Sequence, residues 1–356
     1  MTLGVNLYHL RHPLIKKTRL ALQASFLFLC LLLVACQEQS AREHIKLAGH
    51  TMGTHYNITL VAQAGETLTV DRTALQEAVD AEFRYLNQVF SIYIEDSELM
   101  QLNQAEVGQW HSVSQPLMDV LQLSQDISER SGGAFDITVM PLVRFWGFGP
   151  DPEPEQTPSL EEVEALRSRV GYRHLELGDG RARRLADINI DLGGVAKGYS
   201  ADWVLALLER QGFENILVEI GGDLAVKGEA PRGGPWRLAI EQPSMLRGAA
   251  RLVVSLTDQG LVTSGEYRNF YELDGERFSH TIDPTTGYPV RHQLVSVSVI
   301  APTAAEADAW ATAISVLGEE RGMVLAEKEQ LPVYMVLIQD EGFADQSSSA
   351  FEVFKQ

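Results

Sequence analysis

Apolar residues recur at helical spacing in five stretches of the chain. In residues 73–90 they fall on one helical face, and Thr73 with Gln76 is placed to form a capping box. Ser159 and Glu162 are spaced for a second capping box. Glycine or a change to polar residues then marks where these stretches stop. The predicted helices cover residues 73–90, 114–131, 159–170, 195–210 and 304–317.

Strand-like alternation fills much of the sequence between these helices. Asp274 and Gly275 separate two such stretches, and this pair favours the type I′ turn of a hairpin that ends near His280. Residues 263–266 are predicted to form a turn. Helices mixed with antiparallel hairpins predict an α+β fold with mixed or antiparallel sheets, rather than a doubly wound parallel sheet. The predicted strands cover residues 55–61, 186–192, 216–220, 236–241, 252–256, 269–273, 277–282, 294–300 and 333–338.

The first 35 residues have the pattern of a secretory signal. Four basic residues precede an apolar run over 20–34, which is too short to span a bilayer comfortably. Leu-Val-Ala followed by Cys36 resembles the lipobox of bacterial lipoproteins, in which the cysteine becomes the lipidated N-terminus. We predict a signal peptide over 1–35 and a lipid anchor at Cys36, on the periplasmic side of a Gram-negative cell membrane. The inner membrane is favoured and the outer one stays open; a signal anchor is the alternative.

Behind the predicted signal the chain is strongly acidic. Removing 35 of 356 residues leaves 321, with 25 basic and 48 acidic residues and a net charge of −23. Such a surface repels nucleic acid and phosphate-bearing ligands, so an anionic ligand needs a local cation. The chain has two cysteines, Cys30 in the signal and Cys36. No thiol is then left for a disulfide, a nucleophile or a metal site.

Composition also sets the predicted domain boundaries. A polar tether covers residues 36–48, a single folded domain covers 49–340, and a tail covers 341–356, with mobility expected near 346–350. The domain is long enough for a full core, in one body or two closely joined lobes. The proline-rich acidic segment 149–158 is predicted to be an exposed loop.

A glycine-rich turn joins a predicted strand to a predicted helix between Asp191 and Lys197. Its two adjacent glycines let a ligand approach the backbone, and the fresh helix N-terminus offers free N–H groups to an anion. The helix dipole disfavours a cation such as Lys197 in the first turn, unless an anion lies beside it. A plain strand–turn–helix with a solvated lysine is the alternative interpretation.

Asp308 and Thr312 are four residues apart on a predicted helix and therefore share one face. One carboxylate and one hydroxyl on a common face are suitable ligands for a hard cation, and Mg²⁺ completes such a shell with water and phosphate oxygens. The alternative is an ordinary hydrogen bond on a helix packed through Trp310.

Two further patterns point to ligand chemistry. Tyr93, Phe135, Trp146 and Phe148 lie close to glycines or turns, where planar side chains suit a flat heterocycle, although each could equally fill the core. His280 is the natural proton acceptor near neutral pH, and its alternative role is to cap a turn.

Taken together, the motifs resemble those of the ApbE family of FAD:protein FMN transferases, in order and spacing, over residues 49–332. The family resemblance implies an α+β fold with the flavin in a cleft between two sub-parts. It also implies that FAD is the substrate, that FMN is transferred to a Thr or Ser hydroxyl of a target protein, and that AMP leaves. The motifs are MGTHYNI, SIYIEDSELMQLN, GGAFDITVMPLVRFWGFGP, DLGGVAKGYSADWV, GGDLAVKG, TSGEYRNF, HTIDPTTGYPV and ADAWATAISVLG.

The resemblance also assigns residues. It implies FAD contacts at Met52, Tyr93, Ala134, Phe135, Asp136, Asp191 and Lys197, and at Thr281 or Ile282. It implies Mg²⁺ ligands at Gly194 and Ala311 through backbone carbonyls, and at Asp308 and Thr312 through side chains. On this basis we interpret His280 as the general base toward the incoming hydroxyl and Asp283 as the group that orients it.

Two rival functions stay open at this point. The same site could hydrolyse FAD to FMN and AMP, with water replacing the protein hydroxyl. Alternatively, the protein could be a periplasmic flavin-binding lipoprotein without catalysis. For the transferase, the expected partners are exported or membrane-linked flavoprotein subunits.

Overall fold

An eight-stranded antiparallel sheet organises the chain in this computed structural model. The residues described are 41–149, 157–243, 249–265, 270–273, 275–340 and 342–355. The strand order is β1-β2-β6-β7-β10-β13-β14-β15. These strands are β1 (His44–Thr51), β2 (Thr54–Val61), β6 (Asn215–Ile220), β7 (Asp223–Lys227), β10 (Gln259–Gly265), β13 (Leu294–Ala301), β14 (Val333–Gln339) and β15 (Gly342–Ser347).

Three smaller antiparallel sheets accompany the large one. One has the order β3-β5-β4, and the other two are the pairs β8-β9 and β11-β12. Their strands are β3 (His111–Ser112), β4 (Leu175–Gly178), β5 (Arg181–Arg184), β8 (Trp236–Glu241), β9 (Ala250–Leu256), β11 (Phe270–Leu273) and β12 (Glu276–Ser279). Leu273 pairs with Glu276, so the predicted two-residue hairpin is confirmed.

Seven helices complete the described residues: α1 (Arg72–Phe90), α2 (Glu98–Gln104), α3 (Gln115–Arg130), α4 (Met140–Phe145), α5 (Leu160–Arg167), α6 (Ala196–Arg210) and α7 (Ala304–Lys328). The predicted capping box of Ser159 and Glu162 is confirmed. That of Thr73 is wrong, because the Asp71 carboxylate accepts from the backbone of Thr73 at 3.0 Å and of Ala74 at 3.1 Å. The combination of helices and antiparallel sheets confirms the α+β prediction.

Helix α7 contains a sharp break that the sequence partly predicted. Gly318 has φ 73° and ψ −173°, so the regular helix stops at residue 317 as expected and a second segment then continues to Lys328. A Cβ at Gly318 would lie 2.8 Å from the ring of His292, which packs into the break. The His292 Nε2 atom lies 2.7 Å from the Ser315 carbonyl near the break.

The large sheet lies between two apolar layers. Helices α6 and α7 pack on one face with the main core cluster, and the β8-β9 pair contributes to a second cluster. Strand β13 is buried along its whole length and contributes side chains to both clusters. Its register shifts between Leu294 and Ser296, which changes which side chains face each layer. In the described part of the chain, no helix is both long and apolar enough to span a bilayer.

Residues 186–192 were predicted as a strand, and this is wrong. Asn189 makes a single isolated bridge to Val139 instead of a ladder. The buried amide of Asn103 takes the place of a neighbouring strand, accepting from Ile190 N at 2.7 Å and donating to Ile190 O at 2.9 Å. A side chain can thus satisfy the backbone polar groups that a sheet would otherwise pair.

The prediction of a turn at 263–266 is also wrong for residues 263–265, which the structure describes. Thr263 to Gly265 continue β10 and pair with β13. The Thr263 and Ser298 hydroxyls lie 2.7 Å apart across these strands, so polar residues that suggested a turn are cross-strand partners.

Both ends of the predicted domain need correction. Strand β1 begins at His44, so the predicted tether over 36–48 overlaps the sheet. In the predicted tail, β15 pairs with β14 and Phe351 is fully buried against Tyr334, with ring centroids 5.5 Å apart, so these residues belong to the folded body. The signal segment, Cys36 and residues 150–156 of the predicted loop lie outside the described residues.

Candidate active site

A cavity of about 970 Å³ gathers most of the predicted site residues. This volume lies at the upper end of the range for ligand pockets, roughly 300–1,000 Å³. Asp283 and Ala311 do not line it. The predicted residues that do line it are Met52, Tyr93, Ala134, Phe135, Asp136, Asp191, Gly194, Lys197, His280, Thr281, Ile282, Asp308 and Thr312.

Two segments border this cavity. The helix wall comprises residues 191–198 together with Asp308 and Thr312 of α7. The turn wall comprises residues 280–284, which follow β12. Most residues of both segments line the same cavity.

Met52 reaches the cavity from the tight turn between β1 and β2. Thr51 pairs with Thr54, so Met52 and Gly53 form a two-residue hairpin loop with φ 48° and 72°. Positive φ at both positions is typical of a type I′ turn and is unfavourable for a side chain such as that of methionine. The Ser200 hydroxyl donates to the Ala196 carbonyl at 2.7 Å, and its oxygen lies 3.6 Å from the Met52 sulfur, which places this side chain beside α6.

The turn before α6 is folded around Asp191. One Asp191 oxygen accepts from Gly193 N at 2.7 Å. Burial raises the pKa of this carboxyl, and the Gly193 bond opposes the shift. A Cβ at Gly194 would lie 2.8 Å from Thr312 Oγ1 and 3.3 Å from the Phe135 ring, so glycine allows this turn to touch α7.

Helices α6 and α7 are joined through backbone contacts. The Gly198 N–H donates to Asp308 Oδ2 at 3.1 Å. A Cβ at Gly198 would lie only 2.2 Å from Ala304 O, so this close approach requires glycine. Asp202 accepts from Ala304 N at 3.0 Å and from Ala305 N at 2.8 Å, which caps α7 from the side of α6. The separation between the glycine-rich turn and Asp308 is therefore fixed.

Lys197 lies between two buried carboxylates. Its ammonium pairs with Asp223 and lies 3.6 Å from Asp308 Oδ2. Both aspartates are 2% exposed. Burial raises the pKa of Asp308 to about 7, with Lys197 opposing the shift. Burial would lower the pKa of Lys197, but the two carboxylates outweigh it and raise that pKa above its ordinary value.

The helix wall offers a set of hard oxygen donors. The Gly194 carbonyl lies 3.5 Å from Thr312 Oγ1, and the Asp308 carboxylate faces the same cavity. One carboxylate, one hydroxyl and one carbonyl fit Mg²⁺, which keeps water or phosphate oxygens in the rest of its shell. No group of three or more His, Cys, Asp or Glu side chains placed to hold a metal occurs in the described residues. Ala311 is buried in α7, and its role as a ligand stays a prediction.

The turn wall is organised by hydrogen bonds within the HTIDPTTGYPV segment. His280 follows β12 and lies edge-on to Phe148, with ring centroids 6.3 Å apart. The Asp283 carboxylate accepts from Thr285 N at 2.8 Å and Thr285 Oγ1 at 2.6 Å. These bonds fix Asp283 within the turn, and its predicted role in orienting His280 stays a prediction. A bond to the backbone two residues on is typical of aspartates in turns.

The predicted aromatic group divides into two. Tyr93 is 70% exposed at the cavity, and Phe135 and Phe148 also line it. Trp146 is fully buried and donates to Gly287 O at 2.9 Å, which makes it a core residue beneath the turn wall. Its proposed role beside a heterocycle is therefore wrong.

Asp136 has a supporting role that its position in a motif did not reveal. One oxygen accepts from Thr138 N at 2.8 Å and from Thr138 Oγ1 at 2.6 Å, and the other accepts from Tyr172 N at 2.8 Å. Burial raises its pKa, against these three hydrogen bonds. Asp136 thus ties the lining segment at 134–139 to the chain before β4.

Several polar residues of the cavity were given no site role from the sequence. Asp223 follows the Gly221-Gly222 pair in the motif GGDLAVKG, and this motif is the local signal that could have drawn attention to it. Four of the others lie in quoted motifs that gave them no role, namely Ser91, Thr263, Ser264 and Ser315, and Asn87 lies in none.

A cavity of this size, with a lysine and the N-terminus of a helix in its wall, is suited to an extended phosphate-bearing ligand. The chain belongs to the ApbE family, whose family model matches residues 52–335. This confirms the resemblance on which the residue assignments were based.

Individual relatives support the same membership. The chain is 40% identical over 325 residues to the FAD:protein FMN transferase of Vibrio cholerae, covering 91% of this chain and 96% of the relative. It is 39% identical over 348 residues to that of Escherichia coli K12, covering 95% and 97%.

Solved structures show the same fold. The flavin transferase ApbE of Vibrio cholerae matches with a TM-score of 0.79 and 40% identity, over 88% of this chain and 99% of that chain. The apo form of the Pseudomonas stutzeri flavinyl transferase ApbE matches with a TM-score of 0.80 and 35% identity, over 88% and 98%.

Proposed function

We propose that this protein is a Mg²⁺-dependent FAD:protein FMN transferase. It moves FMN from FAD to a Thr or Ser hydroxyl of a target protein and releases AMP. The single observation that carries the proposal is that one cavity gathers the residues assigned to FAD and, on its helix wall, the donor set of Gly194, Asp308 and Thr312. The relatives named as FAD:protein FMN transferases support the reaction.

In this reaction the acceptor oxygen bonds to the phosphorus of the FMN half of FAD. The bond from that phosphorus to the bridging oxygen breaks, and AMP takes the bridging oxygen away. The hydroxyl proton passes to His280, which lines the cavity on the turn wall.

The residues of the helix wall would neutralise the negative charge of the pyrophosphate. A Mg²⁺ ion held by Asp308, Thr312 and the Gly194 carbonyl would supply charge neutralisation at the phosphates. Lys197 adds a positive charge at the same wall, in a chain with an excess of acidic residues. The N-terminus of α6 presents backbone N–H groups beside it.

Transfer, hydrolysis and simple binding are distinguished by one assay. The protein is incubated with FAD, Mg²⁺ and a candidate exported flavoprotein, and the products are separated on a denaturing gel. A fluorescent acceptor band with AMP release supports transfer. FMN and AMP without a labelled band indicate FAD hydrolysis, and unchanged FAD indicates a binding protein.

The location is proposed on the sequence of the first 36 residues. Cys36 carries the lipid, the folded body lies on the periplasmic side of the membrane, and the acceptors are exported or membrane-linked flavoprotein subunits. Growth with labelled palmitate should label the wild-type protein and leave a Cys36→Ala variant unlabelled. Equal labelling of both proteins would refute the anchor.

A further inference from the structure

Asp223 is a buried carboxylate beside the proposed metal site that the mechanism above does not use. It is the first residue of β7 and follows Gly221 and Gly222, which have φ 60° and 103°. It is 2% exposed, and its oxygen pairs with the ammonium of Lys197. A buried carboxylate is costly unless a cation compensates it, so the Lys197 contact accounts for its presence.

Lys197 is shared unequally between two carboxylates on different elements. The ammonium contacts Asp223 of β7 directly and lies 3.6 Å from Asp308 Oδ2 of α7. Asp308 also accepts from Gly198 N at 3.1 Å, so its position is fixed from α6. The lysine chain is flexible, and it is free to move toward whichever carboxylate attracts it more.

We propose that Asp223 is a positioning residue that draws the Lys197 ammonium toward itself, so that Lys197 makes only the longer of its two ion pairs with Asp308 and leaves that carboxylate available to a divalent cation. This inference rests on the proposed metal site. Without Asp223, the remaining carboxylate partner of Lys197 is Asp308. A shorter Lys197–Asp308 pair would put the ammonium where the cation binds, and like charges at such a distance repel strongly in a buried site.

The same arrangement fixes the position of the Lys197 ammonium in the cavity. Because Asp223 takes the shorter ion pair, the ammonium lies beside Asp308 without occupying the space in front of its carboxylate. An anionic ligand can then meet the lysine and the divalent cation side by side.

The test measures Mn²⁺ binding in the absence of FAD, by the electron paramagnetic resonance signal of free Mn²⁺. Four full-length proteins are compared: wild type, Asp223→Asn, Lys197→Met and the double variant. Asp223→Asn should bind Mn²⁺ about tenfold more weakly. Lys197→Met should bind at least as tightly as wild type. The double variant should match Lys197→Met, because Asp223 has no effect once the lysine is gone.

A matched control removes a charge elsewhere. Asp179 is exposed in the β4–β5 turn, and Asp179→Asn should leave Mn²⁺ binding unchanged. Asp223→Glu, which keeps the charge, should restore part of the affinity lost in Asp223→Asn.

Three other results would contradict the proposed role of Asp223, each in a different way. If the asparagine weakens Mn²⁺ binding equally with and without Lys197, Asp223 acts through its own charge and the positioning role is wrong. If Asp223→Asn binds like wild type, the role is also wrong. If wild type itself binds no Mn²⁺, the proposed metal site fails and the inference fails with it.

The comparison of Mn²⁺ affinities remains informative if one variant fails to fold. Thermal unfolding identifies any variant that does not fold. If Asp223→Asn is such a variant, the Lys197→Met protein and the double variant still form a pair that lacks the ammonium. Unequal Mn²⁺ affinities within that pair would overturn the proposal.

Discussion

The helix wall and the turn wall of the cavity are held in place by different kinds of contact. On the helix wall, backbone atoms of α6 and α7 touch at Gly198, and Asp202 caps α7. On the turn wall, hydrogen bonds of side chains hold the segment in place. The Asp283 carboxylate accepts from Thr285 N, and the Trp146 indole donates to Gly287 O. At Gly198 the helix wall has no room for a methyl group, whereas the proton transfer proposed for the turn wall depends on one side chain, that of His280.

This difference indicates why the helix wall suits the proposed metal site and the turn wall suits the proposed proton transfer. A metal site needs donors whose separation does not vary, and backbone contact between two helices provides that. Proton transfer needs one side chain of suitable basicity within reach of the substrate, and a turn at the end of a strand provides that.

Removing the carboxylate of the helix wall should have the largest effect. Asp308→Ala is expected to lower the rate of FMN transfer by at least about a thousandfold, because charge at the pyrophosphate is no longer neutralised. AMP release and acceptor fluorescence measure this over a range of Mg²⁺ concentrations. Glu306→Ala on the same helix serves as the control and should stay active. Full activity of Asp308→Ala without metal would contradict the helix wall as a metal site.

Removing the histidine of the turn wall should come next. His280→Ala is expected to slow transfer by about a hundredfold or more while FAD still binds, since general-base catalysis is lost. Asp283→Asn should slow it less than about tenfold, because its bonds serve the turn. Transfer rates and FAD titration measure both effects. Equal damage from the two variants would mean that Asp283 does orient His280.

The third prediction concerns the stability of the helix wall. Gly198→Val is expected to lower the free energy of unfolding by about 3 kcal/mol, because its Cβ would overlap Ala304 O. Thermal unfolding measures the change. In the control, Gly193→Ala, the added Cβ would meet the Asp191 carboxylate at 3.1 Å and the loss should be smaller. A Gly198→Val protein as stable as wild type would show that the helix contact is adaptable.

The last prediction concerns pH, where the expected effect is small for each pH unit. Burial raises the pKa of Asp202 from 3.8 to about 7, so between these values the folded protein holds a proton that the unfolded chain has lost. The free energy of unfolding therefore falls as pH rises, by up to about 1.4 kcal/mol per pH unit from this group. Asp202→Asn should flatten that part of the profile in unfolding measured from pH 4 to 7. Parallel profiles for the two proteins would contradict the assignment.

The parts of the fold that were predictable are those fixed by neighbours in sequence. The hairpin at Leu273 and Glu276, the capping box of Ser159 and the end of the regular part of α7 all depend on residues within a few positions. In the site, Asp308 and Thr312 were predictable because helical spacing alone puts them on one face.

Features that depend on distant partners were not predictable from local patterns. Asp202 caps a helix that begins 102 residues later, and Asn103 replaces a strand partner for Ile190, 87 residues away. Asp223 reaches Lys197 because β7 and α6 pack together. A single sequence shows the residue types at these positions but not which groups the fold brings to them.

Strand β15 decides which side chains stand at the outer edge of the eight-stranded sheet. A protein shortened before Gly342 would expose the main-chain groups of β14, whose sequence VYMVLIQ is mostly apolar. An exposed apolar edge is a template for pairing with another chain. With β15 present, the edge is instead a short strand with exposed Asp345 and Gln346, and a charged edge of this kind discourages such pairing.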